Sequence, residues 1–119
     1  MANTELVLII IIVNSGFAEQ VMDIARAQGV RGGTITHCRG TANESMAKKY
    51  GVYITPDKEM IWIVADKLIS DPVISAIHEK VSDKNPGQCF IFSVPVENAV
   101  GFKLDPTAVE NEENQNQKK

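Results

Sequence analysis

The stretch Leu-Val-Leu-Ile-Ile-Ile-Ile-Val at residues 6–13 decides the fold class. It is an unbroken apolar run rich in β-branched residues, which is typical of a strand buried on both faces. A membrane-spanning helix needs about twenty apolar residues, and this run is much shorter. No basic residue precedes it, as one would in a signal peptide. The run therefore predicts a buried strand of a globular domain, and we expect the protein to be cytoplasmic.

The size and composition of the chain agree with one domain. It has 119 residues, of which 44% are hydrophobic and 23% charged, and these values are ordinary for a globular domain. The net charge of −3 disfavours nonspecific nucleic-acid binding, because such binding needs a cationic face. Two cysteines, Cys38 and Cys89, are too few for a disulfide framework or a metal cluster. We expect both to be reduced thiols.

Further strand and helix patterns follow the apolar run. Apolar residues at helical spacing predict a helix over residues 17–28, with Ser15 as its cap and Gly29 as its left-handed end. Asp71 as cap and Pro72 in the first helical position predict the start of a second helix. The predicted strands are residues 6–13, 34–39, 58–65 and 89–96.

The order of these elements is β-α-β-β-α-β. It predicts an α+β fold, the ferredoxin-like sandwich, in which two helices cover one face of an antiparallel sheet. We expect the domain to occupy residues 1–102 and the polar residues 103–119 to form a mobile tail. Because the first strand is apolar on both sides, its second face needs a cover. We expect another copy of the chain to provide it.

No residue pattern predicts catalysis or a metal site. His37 and His78 are each expected to be structural. His37 and Cys38 are neighbours in a strand and point to opposite faces, so they do not form a nucleophile–base pair. The His and Cys residues together lack the spacing of metal ligands.

Two glycine-containing turns and one long loop are better candidates for binding. Residues 39–41 and 84–88 each offer backbone N–H groups near a cation, which suits phosphate, although a plain turn is the commoner reading. Residues 40–57 show no strong periodicity of apolar residues, and loops of that length are uncommon unless they are functional or disordered. Trp62 lies on a predicted strand and is expected in the core.

Three stretches of the sequence resemble the nitrogen regulatory proteins of the PII family. Residues 29–40 resemble the second strand of that family, and residues 59–66 resemble its third strand. Residues 86–100 resemble its last loop and strand, with the Phe-x-x-Pro-Val-Glu signature at residues 92–97. The resemblance extends to about Phe102.

The resemblance implies a homotrimer whose sheets face a threefold axis, with an adenine-nucleotide site between neighbouring subunits. Such proteins are sensors rather than enzymes and need no obligatory cofactor. ATP, ADP or a related effector changes the shape of a long loop, which docks on a transporter, an enzyme or a regulator. Residues 40–57 fall where that effector loop belongs.

The resemblance also implies a set of site residues. Thr34 matches the threonine that faces the adenine, and Ile63 with Val64 matches the strand that frames the base. Phe90 and Gly101 stand where well-studied members have a lysine and an arginine. The implied nucleotide-binding residues are Thr34, Cys38, Arg39, Gly40, Thr41, Ile63, Val64, Asn85, Pro86, Gly87, Gln88, Cys89, Phe90 and Lys103.

The two missing basic residues favour a nucleotide with less phosphate charge. Charge-assisted contacts are worth roughly 1.5–3 kcal/mol each, so their loss weakens the expectation of ATP and favours ADP, AMP or a cyclic nucleotide, with Arg31, Arg39 or Lys84 as compensating cations. Two alternatives remain open. One is a CutA-like or carboxysome-associated binder of a metal or small anion. The other is an enzyme on the same scaffold, which would need an acid/base constellation.

Overall fold

The computed structural model of the chain describes residues 5–41, 56–82 and 89–101. A turn of π-helix, His78–Ser82, follows the second helix. The strands and α-helices are, in chain order, β1 (Leu6–Asn14), α1 (Ala18–Ala27), β2 (Thr34–Arg39), β3 (Asp57–Asp66), α2 (Lys67–Ile77) and β4 (Phe90–Val96). This order confirms the predicted β-α-β-β-α-β pattern.

The strands form one antiparallel sheet in the order β2-β3-β1-β4. One row across it shows the register: Thr34 lies opposite Trp62, Trp62 opposite Ile10, and Ile10 opposite Phe92. Side chains opposite one another share a face, and successive residues of a strand alternate between faces. The register therefore assigns every strand residue to one of two faces.

The two helices cover one face and form the core there. Side chains at the centre of this face are removed from solvent, and burying each such aliphatic side chain stabilises the fold by roughly 1.5–3 kcal/mol. The fully buried residues include Ile9 and Ile11 of β1, Ile61 and Ile63 of β3, Val21 of α1, and Val73 and Ile77 of α2. The predicted ferredoxin-like arrangement of helices on one face is thereby confirmed.

The opposite face, which we call the open face, is apolar and has no cover among the described residues. Trp62 is 40% exposed, Phe92 37% and Val94 39%. The even-numbered residues of β1 from Leu6 to Ile12 lie between them and are half-buried. The open face comprises Leu6, Leu8, Ile10, Ile12, Met60, Trp62, Val64, Phe90, Phe92 and Val94. The first strand is thus apolar on both faces, as predicted.

The start of α1 differs from the prediction. Phe17 is the N-cap residue and no side chain caps the helix, so the prediction of Ser15 as cap is wrong. The Ser15 backbone N–H donates to the Asp57 carbonyl at 3.1 Å, and Ser15 therefore continues the pairing of β1 with β3. The other end agrees with the sequence, because Gly29 has a φ of 106° and leaves the helix in the left-handed region.

The start of α2 also differs. The Asp66 carboxylate accepts a hydrogen bond from the Leu68 N–H at 2.8 Å, so Asp66 is the cap and the prediction of Asp71 is wrong. The helix begins directly where β3 ends, and Pro72 lies inside it rather than in its first position. The pairing of Leu6 with Asp66 holds this junction at the edge of the core.

Several predictions fall on residues 42–55, 83–88 and 102–119, which lie outside the described residues. They concern the interior of the 40–57 loop, the 84–88 turn and the tail. The two ends of the loop are described, and the Gly40 N–H donates to the Pro56 carbonyl at 2.7 Å. Neither α-helix of the described ranges has the length and hydropathy that crossing a membrane requires.

Candidate functional site

A surface groove lies where the chain leaves α1 and enters β2. Its volume is about 440 Å³, within the range of roughly 300–1,000 Å³ typical of small-molecule sites. Thr34 at the start of β2 and Val64 of β3 lie in its wall. The groove is lined by Arg31, Gly32, Gly33, Thr34, Trp62, Val64 and Gly101.

Gly33 brings the entering chain unusually close to β3. A Cβ atom at this position would lie 2.9 Å from the Trp62 carbonyl oxygen, 3.0 Å from the Ile63 Cγ1 and 3.2 Å from the Met22 Sδ. A side chain would push the turn away from both β3 and α1. The glycine therefore fixes one wall of the groove.

The backbone of Val64 faces the groove with a donor and an acceptor. The pairing of β2 with β3 stops at Thr34 opposite Trp62, so β3 continues beyond its neighbour. The contact of Gly33 with the Trp62 carbonyl oxygen shows that this carbonyl points toward β2. Residues two apart in a strand direct their backbone groups the same way, so those of Val64 do too. No backbone hydrogen bond from the described residues of this turn reaches them.

Trp62 lies on the open face and in the groove, so the prediction that it belongs to the core is wrong. It is 40% exposed although β3 is an interior strand. The physical reason is the alternation of the strand: Ile61 and Ile63 point to the helices and are fully buried. Trp62 and Val64 therefore point the other way.

A second group of predicted residues lies at the other end of β2. Cys38 is opposite Lys58 of β3, and the Lys58 Nζ donates to the Asn14 Oδ1 at 2.6 Å. A Cβ atom on Gly40 would lie 3.0 Å from the Lys58 Cε, so the lysine stem covers this glycine. Burial lowers the pKa of Lys58, and the neighbouring Cys38 opposes this effect. Arg39 is opposite Asp57 in the same register.

Within one copy of the chain the predicted site residues form three separate groups. Thr34 and Val64 share the groove. The stretch from Cys38 to Thr41 begins at the far end of β2, where Cys38 and Arg39 lie roughly 13 and 17 Å from Thr34 along the strand at about 3.3 Å per residue. Cys89 and Phe90 lie at β4, the opposite edge of the sheet, roughly 14 Å from β2 at about 4.8 Å per strand.

The remaining predicted residues do not line the groove within the described part of the chain. Ile63 is fully buried, and its side chain faces the helices. Asn85, Pro86, Gly87, Gln88 and Lys103 lie outside the described residues. Among the residues that the structure describes, no group of three His, Cys, Asp or Glu side chains is arranged to hold a metal ion.

Sequence reasoning left Trp62 out of the site, and it treated Arg31 and Gly101 only as a compensating cation and a replaced arginine. All three line the groove. The alternation of side chains in a strand could have identified Trp62. It is two residues from Val64, so the two share a face of the strand. Arg31 precedes the glycine pair that enters β2, a position from which a side chain reaches the strand end.

A protein-family model matches the chain, whereas comparison with curated proteins gives no significant match. The family model described as "Nitrogen regulatory protein P-II" matches residues 6–105. This range includes β1, β4 and everything between them.

Solved structures with the same fold come from the same group of proteins. GlnK of B. subtilis in complex with ATP has a TM-score of 0.65 and 18% identity, and the alignment covers 84% of this chain and 89% of that chain. PII of Arabidopsis thaliana bound to citrate has a TM-score of 0.59 and 25% identity, with 78% of each chain covered. CPII from Thiomonas intermedia, a PII-like protein bound to ADP, AMP and bicarbonate, has a TM-score of 0.57 and 18% identity, with 81% and 97% covered.

Proposed function

Because the chain belongs to the nitrogen regulatory protein P-II family, a family of signalling proteins, we propose that it is a sensor of adenine nucleotides. It binds ATP, ADP or AMP as an effector at the interface between the subunits of a homotrimer. It then regulates a partner protein, such as a membrane transporter or an enzyme, through residues 40–57. In this proposal it acts in the cytoplasm, catalyses no reaction, and has neither an obligatory cofactor nor a nucleic-acid partner.

The observation that carries the proposal is the backbone edge of Val64 beside the Thr34 hydroxyl. An adenine base has hydrogen-bond donors and acceptors next to one another on its edge. A strand residue whose N–H and C=O both point into a groove can satisfy such an edge, and a threonine hydroxyl can donate or accept. The ATP in the GlnK structure and the ADP and AMP in the CPII structure support this ligand class.

Arg31 supplies a cation to the same groove. A guanidinium group makes paired hydrogen bonds to phosphate oxygens and stays charged at all physiological pH values. We propose that it partly replaces the positive charges that Phe90 and Gly101 do not provide.

Two features of the described residues support a site between subunits. The predicted residues of β4 lie at the opposite sheet edge from the groove, so a single copy does not bring them to the same ligand. A neighbouring copy could bring its own Cys89 and Phe90 to this groove. The open face gives that neighbour an apolar surface to bury, and exposed apolar surfaces of this kind mark interaction sites.

The ends of the 40–57 loop are joined to the sheet that forms the site. Arg39 lies opposite Asp57 in the pairing of β2 with β3, and the Gly40 N–H donates to the Pro56 carbonyl. A ligand that contacts the stretch from Arg39 to Thr41 would touch the root of the loop. Ligand binding would then bias the conformation of the loop, which is a common way for an effector to control a docking segment.

Isothermal titration calorimetry with ATP, ADP and AMP tests the proposal, with the mass measured by light scattering. We expect a trimer that binds at least one of them at micromolar affinity. Thr34→Val should weaken binding about two- to tenfold, since a net hydrogen bond is worth roughly 0.5–1.5 kcal/mol, and should leave the trimer intact. Ser75→Ala, which removes an exposed hydroxyl from α2, is the control and should bind like the wild type.

Other outcomes would contradict parts of the proposal. A trimer that binds none of the three nucleotides would refute the sensing function. If the same trimer bound bicarbonate or a metal ion, the carboxysome-associated or CutA-like alternative would take its place. An unchanged affinity of Thr34→Val would refute the assignment of the groove while leaving nucleotide binding itself intact.

A further inference from the structure

The indole of Trp62 lies on the open face and also lines the groove, but the proposed function gives it no contact with the nucleotide. We propose that Trp62 is the stacking platform for the base of the nucleotide, so that aromatic contact determines much of the affinity at this site. This inference rests on the proposed function, because it specifies how the same groove holds its ligand.

Within one copy of the chain, the position of Trp62 in the sheet leaves its ring accessible above its neighbours. In its row it lies between Thr34 of β2 and Ile10 of β1, and both of these side chains are smaller than an indole. Gly33 and Gly32, on the β2 side, add no side chain at all. The indole of an interior strand residue therefore keeps 40% of its surface exposed, and it lines the groove with Val64.

The contacts that Trp62 and Val64 can make to a base are complementary. The backbone groups of Val64 extend in the plane of the sheet, whereas the side chain of Trp62 stands on the open face. A purine has a polar edge and two apolar faces, so the edge can bond to Val64 while one face packs on the indole. Aromatic side chains are common platforms for bases, and removing one weakens binding substantially.

The small number of charged residues in the groove favours a large contribution of base stacking to the binding free energy. Among the described residues that line it, Arg31 is the single charged side chain, and the others are glycine, threonine, tryptophan and valine. Two basic residues of the family pattern are replaced by Phe90 and Gly101. Because the site has fewer cations to bind phosphate, its affinity depends more on contacts with the base.

Trp62 is the chain's one tryptophan, so its fluorescence reports on the groove directly. The experiment titrates the wild-type protein with AMP and ADP and follows both the tryptophan emission and the heat of binding. We expect saturable quenching with the same dissociation constant as the calorimetric one. Stacking is worth enough that Trp62→Ala should weaken binding about tenfold or more. Trp62→Phe, which keeps an aromatic face, should stay within about threefold of the wild type.

Controls separate stacking from a role in assembly. Leu68→Ala, at an 85% exposed position on α2, should bind like the wild type. The mass of each variant is measured by light scattering. If Trp62→Ala dissociates the trimer, the quenching of the wild type and the affinity of Trp62→Phe decide the question.

Different results would overturn base stacking on Trp62 and nucleotide binding itself. Binding detected by calorimetry without any change in tryptophan emission would overturn stacking and leave the nucleotide sensor in place. The same conclusion would follow if Trp62→Ala remained trimeric and bound normally. The absence of binding by either method would overturn the proposed function and the stacking role with it.

Discussion

Gly33 determines how closely the chain approaches β3 at the groove. A Cβ atom there would lie 2.9 Å from a carbonyl oxygen of β3, and a backbone atom of an interior strand has little freedom to move. We predict that Gly33→Ala lowers the free energy of unfolding by about 1–3 kcal/mol, the usual range for overpacking. Urea unfolding followed by circular dichroism measures the change at a fixed protomer concentration.

Gly32 provides a matched control for Gly33. A Cβ atom at Gly32 has nothing within 4 Å, so Gly32→Ala should change stability by no more than about 0.5 kcal/mol. If the two substitutions lowered the free energy of unfolding equally, the close approach of Gly33 to β3 would not be the cause of the destabilisation. A destabilised Gly33→Ala should also bind nucleotide more weakly, because the displaced turn is part of the groove.

At the residue scale, only part of the groove could be predicted. The family resemblance puts Thr34 and Val64 in one site, and both residues line the groove. Trp62 was assigned to the core, because a strand with apolar residues on both faces gives no sign of which face is covered. Only the pairing register, which depends on β1 and β2 as partners, puts Trp62 beside Thr34.

At the scale of elements, the start of α2 makes a clear test. The Asp66 carboxylate accepts from the Leu68 N–H at 2.8 Å, whereas Asp71 is exposed inside the helix. We predict that Asp66→Ala lowers the free energy of unfolding by about 0.5–2 kcal/mol, the usual loss for an N-cap. Asp71→Ala should be within about 0.5 kcal/mol of the wild type. Thermal and urea unfolding of both variants measure the difference, and the reverse order would restore Asp71 as the cap.

The elements themselves were more predictable than their ends. All four strands were found from alternation and β-branched runs, and β2 matches its predicted range of 34–39. Helix starts were missed, because a Ser or Asp before an apolar run has the same local signal whether or not its side chain reaches a free N–H. In α2 the Asp-Pro pair at residues 71–72 was the stronger local pattern. The junction of β3 with the helix instead placed the cap five residues earlier.

At the scale of the whole molecule, the open face shows what the described residues leave unfinished. One face of the sheet is covered by α1 and α2, and the other exposes Trp62, Phe92 and Val94 by more than a third each. The sequence predicted this need for a cover, because β1 is apolar throughout. It could not define the site, since the predicted residues that the structure describes lie at both edges of the sheet within one copy of the chain.

Assembly through the open face predicts a specific sensitivity to charge. Phe92 lies on this face in the same row as Ile10 and Trp62, away from the helix-covered core, so Phe92→Lys should fold normally. It would bury an unpaired cation in a subunit interface, which is strongly unfavourable. We therefore predict that light scattering gives the mass of a trimer for the wild type and of a monomer for Phe92→Lys. Because the proposed site needs two subunits, nucleotide binding should be lost with the trimer.

Leu68→Lys, on the helix-covered side, is the control and should leave the trimer and nucleotide binding unchanged. A Phe92→Lys protein that remained trimeric would show that the subunits meet elsewhere, and the site between them would have to be sought there.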